Sequence, residues 1–223
     1  MSAVDQRQFK VILLGDGAVG KTSIATRFAH NEFAKRYKQT IGLDFFIKHL
    51  VLPGDIRVAM QIWDIGGQSI GSKMIDNYLC GAQAVLLCYD ITNYESFANL
   101  EDWHHLVSRT FGNETMPFIG LVANKCDLSH LRAVKGHTHN RFVEENEFYS
   151  FMMSAKSGDQ VNACFLQIAL TLTNMTLRQR GIDTDSQAVI RATIVEHTQH
   201  DPNINHGNLP TYNARQNSTC NMS

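Results

Sequence analysis

The sequence has no long apolar run, no signal-like start and no excess of basic residues. No stretch reaches the roughly 18 consecutive apolar residues that a membrane-spanning helix requires. The opening residues, MSAVDQRQ, lack the apolar segment of a secretory signal, so we expect a cytosolic protein. Twenty Lys and Arg against 21 Asp and Glu give a net charge of −1. This balance argues against nucleic acid as the partner, because binding nucleic acid needs a clustered basic surface.

Metal-binding and disulfide patterns are also missing. The five cysteines form no C-x-x-C pair, so we expect neither a disulfide framework nor a zinc site. The ten histidines are scattered, and we interpret them as solvated surface residues. Residues 181–223 contain no lysine and are rich in Asn, Gln, Thr and Ser. Such a segment buries too little apolar surface to offset its chain entropy, so we expect a disordered C-terminal tail.

Strand-like and helix-like segments alternate as far as about Arg180, which predicts an α/β fold with a mainly parallel sheet. Apolar runs at 9–15, 45–52, 57–64, 84–90, 117–124 and 148–154 predict the strands, and a turn at Pro53-Gly54-Asp55 joins the second strand to the third. Helical patterns cover 21–30 and lie around 95–109 and 141–146. A last helix is predicted to bury Val161, Phe165, Ile168, Leu172 and Met175.

The segment GDGAVGKT, residues 15–22, matches G-x-x-x-x-G-K-[ST] between a predicted strand and a predicted helix, which is the context of a P-loop. Its glycines let successive backbone N–H groups surround phosphate oxygens, and the helix N-terminus adds a positive dipole end. Lys21 supplies a charge to the β- and γ-phosphates, and the Thr22 hydroxyl is a ligand for Mg²⁺. The motif alone does not choose between ATP and GTP. The residues of this loop predicted to bind nucleotide are Gly15, Gly17, Ala18, Val19, Gly20, Lys21, Thr22 and Ser23.

An N-K-x-D sequence at residues 124–127 ends a predicted strand, at the sheet edge where α/β proteins bind ligands. The Asp127 carboxylate can accept hydrogen bonds from guanine N1–H and the 2-amino group, and adenine lacks this pair of donors. Asn124 and the stem of Lys125 can hold the base and the P-loop together. A second guanine loop, with the Ala155 N–H directed at the base oxygen, is predicted where another strand ends: Ser154, Ala155 and Lys156.

Two further segments fit the γ-phosphate end of such a site. Asp64 ends an apolar strand downstream of the P-loop, which predicts a second Mg²⁺ anchor. Gly67 can donate its N–H to the γ-phosphate, and Gln68 can orient the attacking water. Thr40 fits the mobile ligand that reaches both Mg²⁺ and the γ-phosphate. The loop that contains Thr40 also offers contacts to the guanine ring (Phe33, for which a core position is the alternative) and to the ribose and phosphates (Lys35 and Tyr37).

With these motifs in order, residues from about 9 to 180 resemble a Ras-superfamily small GTPase. The resemblance implies a P-loop NTPase G domain over residues 1–180, with a six-stranded, mainly parallel sheet flanked by helices, and a flexible hypervariable tail over 181–223. The sequences at 41–45, 63–64 and 89–92 resemble the Rab branch. IGGQS at residues 65–69 replaces the usual Thr-Ala-Gly-Gln-Glu and is similar to one divergent subgroup of that branch.

The C-terminal CNMS fits a C-a-a-X box, which predicts a prenyl group, of the farnesyl type, on Cys220. Most members of the Rab branch end instead in paired cysteines. We therefore expect reversible, peripheral association with the cytoplasmic face of membranes, exchange with the cytoplasm, and a carrier that covers the prenyl group in solution.

The function implied is a monomeric GTP-binding and GTP-hydrolysing switch of vesicle and membrane traffic, with GTP, GDP and Mg²⁺ as its cofactors. Its partners are an exchange factor, a GTPase-activating protein and effectors. Apart from Arg36, no arginine lies at an evident finger position, so we expect slow intrinsic hydrolysis. Two alternatives stay open: a P-loop ATPase or nucleotide kinase, against which Asp127 argues, and a nucleotide-dependent recruitment module with little hydrolysis, against which Gln68 argues.

Overall fold

The computed structural model describes residues 7–34, 36, 38–68, 74–112 and 115–179. Strands and helices alternate along this part of the chain, as predicted. In order they are β1 (Arg7–Leu14), α1 (Lys21–His30), β2 (Leu43–Leu52), β3 (Ile56–Ile65), α2 (Ile75–Leu79), β4 (Ala84–Asp90), α3 (Tyr94–Ala98), α4 (Leu100–Phe111), β5 (Phe118–Asn124), a 3₁₀-helix (Cys126–Leu131), α5 (Gly136–Asn146), β6 (Tyr149–Met152) and α6 (Val161–Gln179).

The strands form one six-stranded sheet in the order β2-β3-β1-β4-β5-β6. Only the β2–β3 pair is antiparallel, and the other pairs are parallel, which confirms the predicted sheet. Every residue of β4 and β5 is buried, which explains why both read as continuous apolar runs. The carboxyl ends of β1, β3, β4, β5 and β6 meet at one edge of the sheet, and most of the predicted motifs follow these ends.

Helices cover both faces of the sheet and create two cores. On one face α1 and α6 pack together, with the rings of Phe28 and Phe165 stacked 4.0 Å apart. On the other face α2 to α5 enclose a core that contains Trp103 and Tyr89. The predicted core face of α6 is confirmed except at Met175, which is 45% exposed, because Thr173 occupies the buried position in that turn. No helix among the described residues is long and apolar enough to cross a membrane.

The helix predicted around 95–109 is interrupted at Asn99. There α3 ends at Ala98 and α4 begins at Leu100, while helical hydrogen bonds continue across the break from the Asn99 N–H to Glu95 O and from the Trp103 N–H to Asn99 O. The Asn99 side chain turns toward the P-loop and donates to Asp16 Oδ2 at 2.7 Å. The break therefore places a polar group from the helical layer beside the loop that follows β1.

The interpretation of the histidines as solvated residues is wrong for His139, which is fully buried. Its Nδ1 lies 3.0 Å from Tyr89 Oη, and its Nε2 lies 2.7 Å from Ser150 Oγ. Burial lowers the pKa of His139 to about 4, so the ring is neutral at neutral pH. The two ring nitrogens thus connect α5 to β4 and β6 behind the guanine loops.

Candidate nucleotide-binding site

A cleft of about 530 Å³ opens at the carboxyl edge of the sheet. It is lined by most of the residues predicted to bind a nucleotide, although they come from segments far apart in the chain: Gly17, Ala18, Gly20, Lys21, Thr22, Ser23, Phe33, Thr40, Gly67, Gln68, Asn124, Lys125, Asp127, Ala155 and Lys156. Four more predicted residues, Gly15, Val19, Asp64 and Ser154, lie buried next to them. Lys35, Tyr37 and Cys220 lie outside the described residues.

The P-loop glycines are required by close contacts as well as by backbone conformation. Gly15 has φ +132°, and a Cβ there would overlap the carbonyl oxygen of Cys88. Gly20 has φ +100°, and a Cβ there would overlap the side-chain nitrogen of Asn124. Both φ values lie where residues with a side chain are strained. The loop can therefore press against β4 and β5 only because these positions have no side chain.

Lys21 places a charge inside the cleft. Its side chain is only 6% exposed, and Nζ donates hydrogen bonds to Gly15 O at 2.6 Å and Asp16 O at 2.7 Å. Burial lowers the pKa of this amine below its ordinary value, so the charged form needs compensation. An ammonium has three donors, and these two bonds leave one for a ligand. A phosphate oxygen meets both needs.

The three predicted Mg²⁺ ligands lie together. Thr22 Oγ1 donates to Asp64 Oδ2 at 2.5 Å and lies 2.8 Å from Thr40 Oγ1. In the part of the chain that the structure describes, the other Asp64 oxygen, Oδ1, is buried without a hydrogen-bond partner. Burial raises the pKa of Asp64 above its ordinary value, so a cation beside it would favour the charged carboxylate. Two hydroxyls and a carboxylate are the oxygen ligands that Mg²⁺ prefers, so the residues present fit this ion.

The two predicted guanine loops are hydrogen-bonded to each other. Ser154 Oγ donates to Asp127 Oδ1 at 2.6 Å, and Lys156 Nζ lies 3.8 Å from Asp127 Oδ2. The Ala155 N–H donates to Asn124 Oδ1 at 3.1 Å, which differs from the expected direction toward a base oxygen. This bond arises because the Asn124 amide is buried between the two loops.

Four further predicted residues connect the loops of the cleft or lie along it. Asn124 Nδ2 donates to Val19 O at 2.8 Å, which ties the end of β5 to the P-loop. Phe33 lines the cleft and is 38% exposed, so the alternative of a core phenylalanine does not hold. Gln68 is exposed at the rim, and Gly67 lies directly against the peptide between Asp16 and Gly17.

Sequence reasoning missed two carboxylates that position this machinery. Asp90 Oδ2 lies 2.6 Å from Lys125 Nζ, and Oδ1 accepts hydrogen bonds from Thr92. Since Asp90 ends β4 at the same edge as Asn124, the strand-end rule could have found it. Asp16 accepts hydrogen bonds from Asn99 Nδ2 and, at 3.0 Å, from Trp103 Nε1. No local pattern indicates this role, because both partners are more than 80 residues away.

Comparisons with known proteins agree with this geometry. A family model described as "Ras family" matches residues 10–174. The chain is 42% identical over 198 residues to Ras-related protein Rab-28 of Caenorhabditis elegans, which covers 88% of this chain and 80% of that protein. It is 37% identical over 164 residues to Ras-related protein Rab-30 of Homo sapiens, with 74% and 79% covered. To Ras-related protein RABA1a of Arabidopsis thaliana it is 36% identical over 177 residues, with 78% and 79% covered.

The match to Rab-28 bears out the resemblance inferred from the motifs, since the divergent subgroup with a sequence similar to residues 65–69 is that of Rab-28. Gly66 is one of the three positions in this segment that differ from the usual Thr-Ala-Gly-Gln-Glu, and it takes the place of the alanine. Its N–H donates to Gly42 O at 2.9 Å, and a Cβ on it would lie 2.6 Å from Thr40 O. The loop that contains Thr40 therefore approaches closer than an alanine at position 66 allows.

We predict that Gly66→Ala weakens binding of a non-hydrolysable GTP analogue in the presence of Mg²⁺ by roughly 10-fold, because relieving the overlap moves Thr40 away from Thr22 and Asp64. Titration with a fluorescent analogue measures this affinity. Gly136→Ala is the matched control, since a Cβ there meets nothing within 4 Å. Equal affinities of the Gly66→Ala protein and the parent would contradict the prediction.

Proposed function

The chain belongs to the Ras family of small GTPases, and from this premise we propose that it is a Rab-type switch that binds and hydrolyses GTP and regulates membrane traffic. The observation that carries the proposal is the convergence of phosphate-, Mg²⁺- and guanine-binding groups on one cleft. Its relatives, including Rab-28, Rab-13 and Rab-30, are Rab proteins by name, which supports the role in traffic.

We propose that the nucleotide lies with its phosphates in the P-loop and its base between the two guanine loops. Asp127 distinguishes guanine from adenine, and Phe33 contacts the face of the base ring. Lys21 compensates phosphate charge from the floor of the cleft, where water is excluded and its charge acts strongly. Thr22, Thr40 and Asp64 would hold Mg²⁺, which would supply positive charge to the phosphate oxygens.

For GTP hydrolysis, the residues of this chain contribute more by positioning the reacting groups than by transferring protons. Gln68 orients the attacking water, and the Gly67 N–H stabilises the γ-phosphate oxygens as charge develops. Among the described residues that line the cleft, Arg36 is the one arginine, and it is exposed. We therefore propose that intrinsic hydrolysis is slow and that a GTPase-activating protein accelerates it.

The output of the switch is binding. The first switch segment (residues 31–42) and the second (residues 65–73) carry Thr40 and Gly67, and both residues contact the γ-phosphate in the GTP state only. Loss of that phosphate releases both segments, so effectors distinguish the two states through them. An exchange factor resets the switch by releasing GDP, and the protein acts as a monomer.

We propose that residues 1–180 form the G domain and that residues 181–223, which lie outside the described residues, form a tail that carries a prenyl group on Cys220. One lipid chain gives marginal and reversible membrane binding, and stable attachment needs a second signal. The tail contains two arginines against four acidic residues, so it gains little from anionic lipids. Because both contributions to membrane binding are weak, we propose that the protein cycles between the cytoplasm and the cytoplasmic face of membranes. A prenyl-binding carrier covers the lipid in solution.

The first test of this function concerns the base. Asp127→Asn should lower GTP affinity roughly 100-fold, through loss of a charged acceptor of two hydrogen bonds, and should raise affinity for xanthosine triphosphate. Competition with fluorescent GDP measures both. Asp102→Asn, at an exposed position on α4, should behave as the parent does. Unchanged GTP binding by the Asp127→Asn protein would remove the guanine assignment.

The second test concerns hydrolysis. Gln68→Leu should bind GTP as the parent does but hydrolyse it at least roughly 10-fold more slowly in a single turnover, because only water positioning is lost. Gln61→Leu is the control, because it makes the same change at a glutamine of β3 that does not line the cleft and whose side chain donates to Gln8 on β1. If the parent releases no phosphate even after long incubation, the recruitment module with little hydrolysis becomes the better description.

The third test concerns the membrane. Cys220→Ser should shift the protein from the membrane fraction to the soluble fraction of cells while nucleotide binding is retained, because the site of prenylation is removed. Fractionation followed by immunoblotting measures the distribution. Cys80→Ser, which changes an exposed cysteine of the G domain, should leave it unaltered. Membrane attachment that survives in the Cys220→Ser protein would show that the C-a-a-X assignment is wrong.

A further inference from the structure

Arg27 makes hydrogen bonds to three backbone carbonyls that no part of the proposed mechanism uses. It lies in α1, the helix that begins at the P-loop. Its guanidinium donates from Nε to Ala155 O at 3.0 Å and from Nη2 to Lys156 O at 2.7 Å. The third nitrogen, Nη1, donates to Asn31 O at 2.9 Å. Each of the three nitrogens therefore binds a carbonyl oxygen, and each carbonyl lies in a loop that borders the cleft.

The first two acceptors belong to the guanine loop. The same loop is bonded to the N-K-x-D loop, since the Ala155 N–H donates to Asn124 Oδ1 and Ser154 Oγ donates to Asp127 Oδ1. The guanine loop also packs against the aliphatic part of the Arg27 side chain at Gly158, which has φ +87°. A Cβ at this position would lie 3.4 Å from Arg27 Cδ. Arg27 thus fixes the position of the guanine loop relative to α1.

The third acceptor marks the start of the first switch segment. Asn31 ends α1 in the left-handed conformation, with φ 58°, and lies two residues before Phe33. Its side-chain oxygen also lies 3.4 Å from Arg27 Nη1. A shift of the first switch segment at this point therefore changes the bonding of the same guanidinium that holds the guanine loop.

The chemistry of the side chain suits this double role. A guanidinium is planar and directs its N–H donors in a fixed fork, so it can bond to separate carbonyls at once. A charged donor to a neutral carbonyl makes a stronger bond than a neutral donor. Lysine has the same charge but a single nitrogen, and it cannot reproduce these contacts. The role therefore depends on the shape of the group as well as on its charge.

We propose that Arg27 is a positioning residue that couples the guanine loop to the start of the first switch segment, so that displacement of the switch loosens the grip on the base. The proposal rests on the proposed function, because it concerns how that nucleotide is held and released. Release of the nucleotide can then begin at the guanine loop or at the first switch segment, and a shift of one segment weakens the hold of the other. A partner that pulls the first switch segment outward would free the base without touching it.

The experiment measures dissociation of mant-GDP, and of a fluorescent non-hydrolysable GTP analogue, from the full chain after addition of excess unlabelled GDP. Arg27→Ala should raise both dissociation rates roughly 10-fold, which corresponds to about 1.4 kcal/mol. Arg27→Lys should fail to restore slow dissociation. Single-turnover hydrolysis by the loaded Arg27→Ala protein should fall far less than dissociation rises. The control is Arg141→Ala, on α5, where an exposed arginine pairs with Glu145 at 3.7 Å.

Coupling is tested by combining Arg27→Ala with Phe33→Ala. If the guanidinium links the two loops, the double variant raises the dissociation rate of mant-GDP by less than the product of the two single fold increases. Simple multiplication of the two effects overturns the coupling, and so does restoration of slow dissociation by Arg27→Lys. If Arg27→Ala and Arg141→Ala release mant-GDP equally slowly, the positioning role is wrong while the proposed function stands. Failure of the parent protein to retain any guanine nucleotide would instead remove the proposed function.

Discussion

The buried side-chain amide of Asn124 is the contact on which the rest of the site depends. It is 1% exposed, it donates to Val19 O in the P-loop, and it accepts from the Ala155 N–H in the guanine loop. Three segments that follow three different strands are thereby held by one group. The amide has both a donor and an acceptor, so neither Asp nor Leu could make both bonds. An unpaired buried amide is costly, so the three segments stay together or separate together. Arg27 repeats the arrangement at the outer side of the same loop, where it adds the start of the first switch segment.

Close backbone approach is the second constraint. The P-loop touches β4 at Gly15, the second switch segment touches the P-loop at Gly67, and the first switch segment touches the second at Gly66. At each of these three glycines, a Cβ would lie within 2.7 Å of a backbone atom. Backbone cannot move aside as a side chain can, so these contacts fix how far the segments may approach. Gly66 stands where the usual sequence has alanine, and its lack of a Cβ lets the loop that contains Thr40 approach more closely than an alanine would.

The electrostatics of the cleft explain why a charged ligand with a divalent cation belongs there. Burial lowers the pKa of Lys21 and raises the pKa of Asp64, so both groups are pushed toward their neutral forms. A bound phosphate would favour the charged form of the lysine, and a bound Mg²⁺ would favour the charged form of the carboxylate. Asp16 and Asp90 differ from them because each finds its partners within the protein: Asp16 accepts hydrogen bonds from the neutral side chains of Asn99 and Trp103, and Asp90 forms an ion pair with Lys125. Lys21 and Asp64 are thus arranged for ligands, whereas Asp16 and Asp90 hold the loops that form the cleft.

The sequence by itself determined the six strands and the positions of the P-loop, the N-K-x-D and Ser-Ala-Lys loops and the three candidate Mg²⁺ ligands, because each rests on a short pattern of neighbouring residues. The parallel sheet then brought these patterns to one edge, as the strand-end rule predicts. Tertiary structure alone decided the break at Asn99, the burial of His139, the bond from Ala155 to Asn124 and the contacts of Asp16 and Arg27. These depend on partners that are distant in the chain: Arg27 and Lys156 are 129 residues apart, and Asp16 and Trp103 are 87 apart. Local propensity contains no information about such pairs, because the free energy that selects them comes from packing the two cores and from satisfying polar groups that the packing buries.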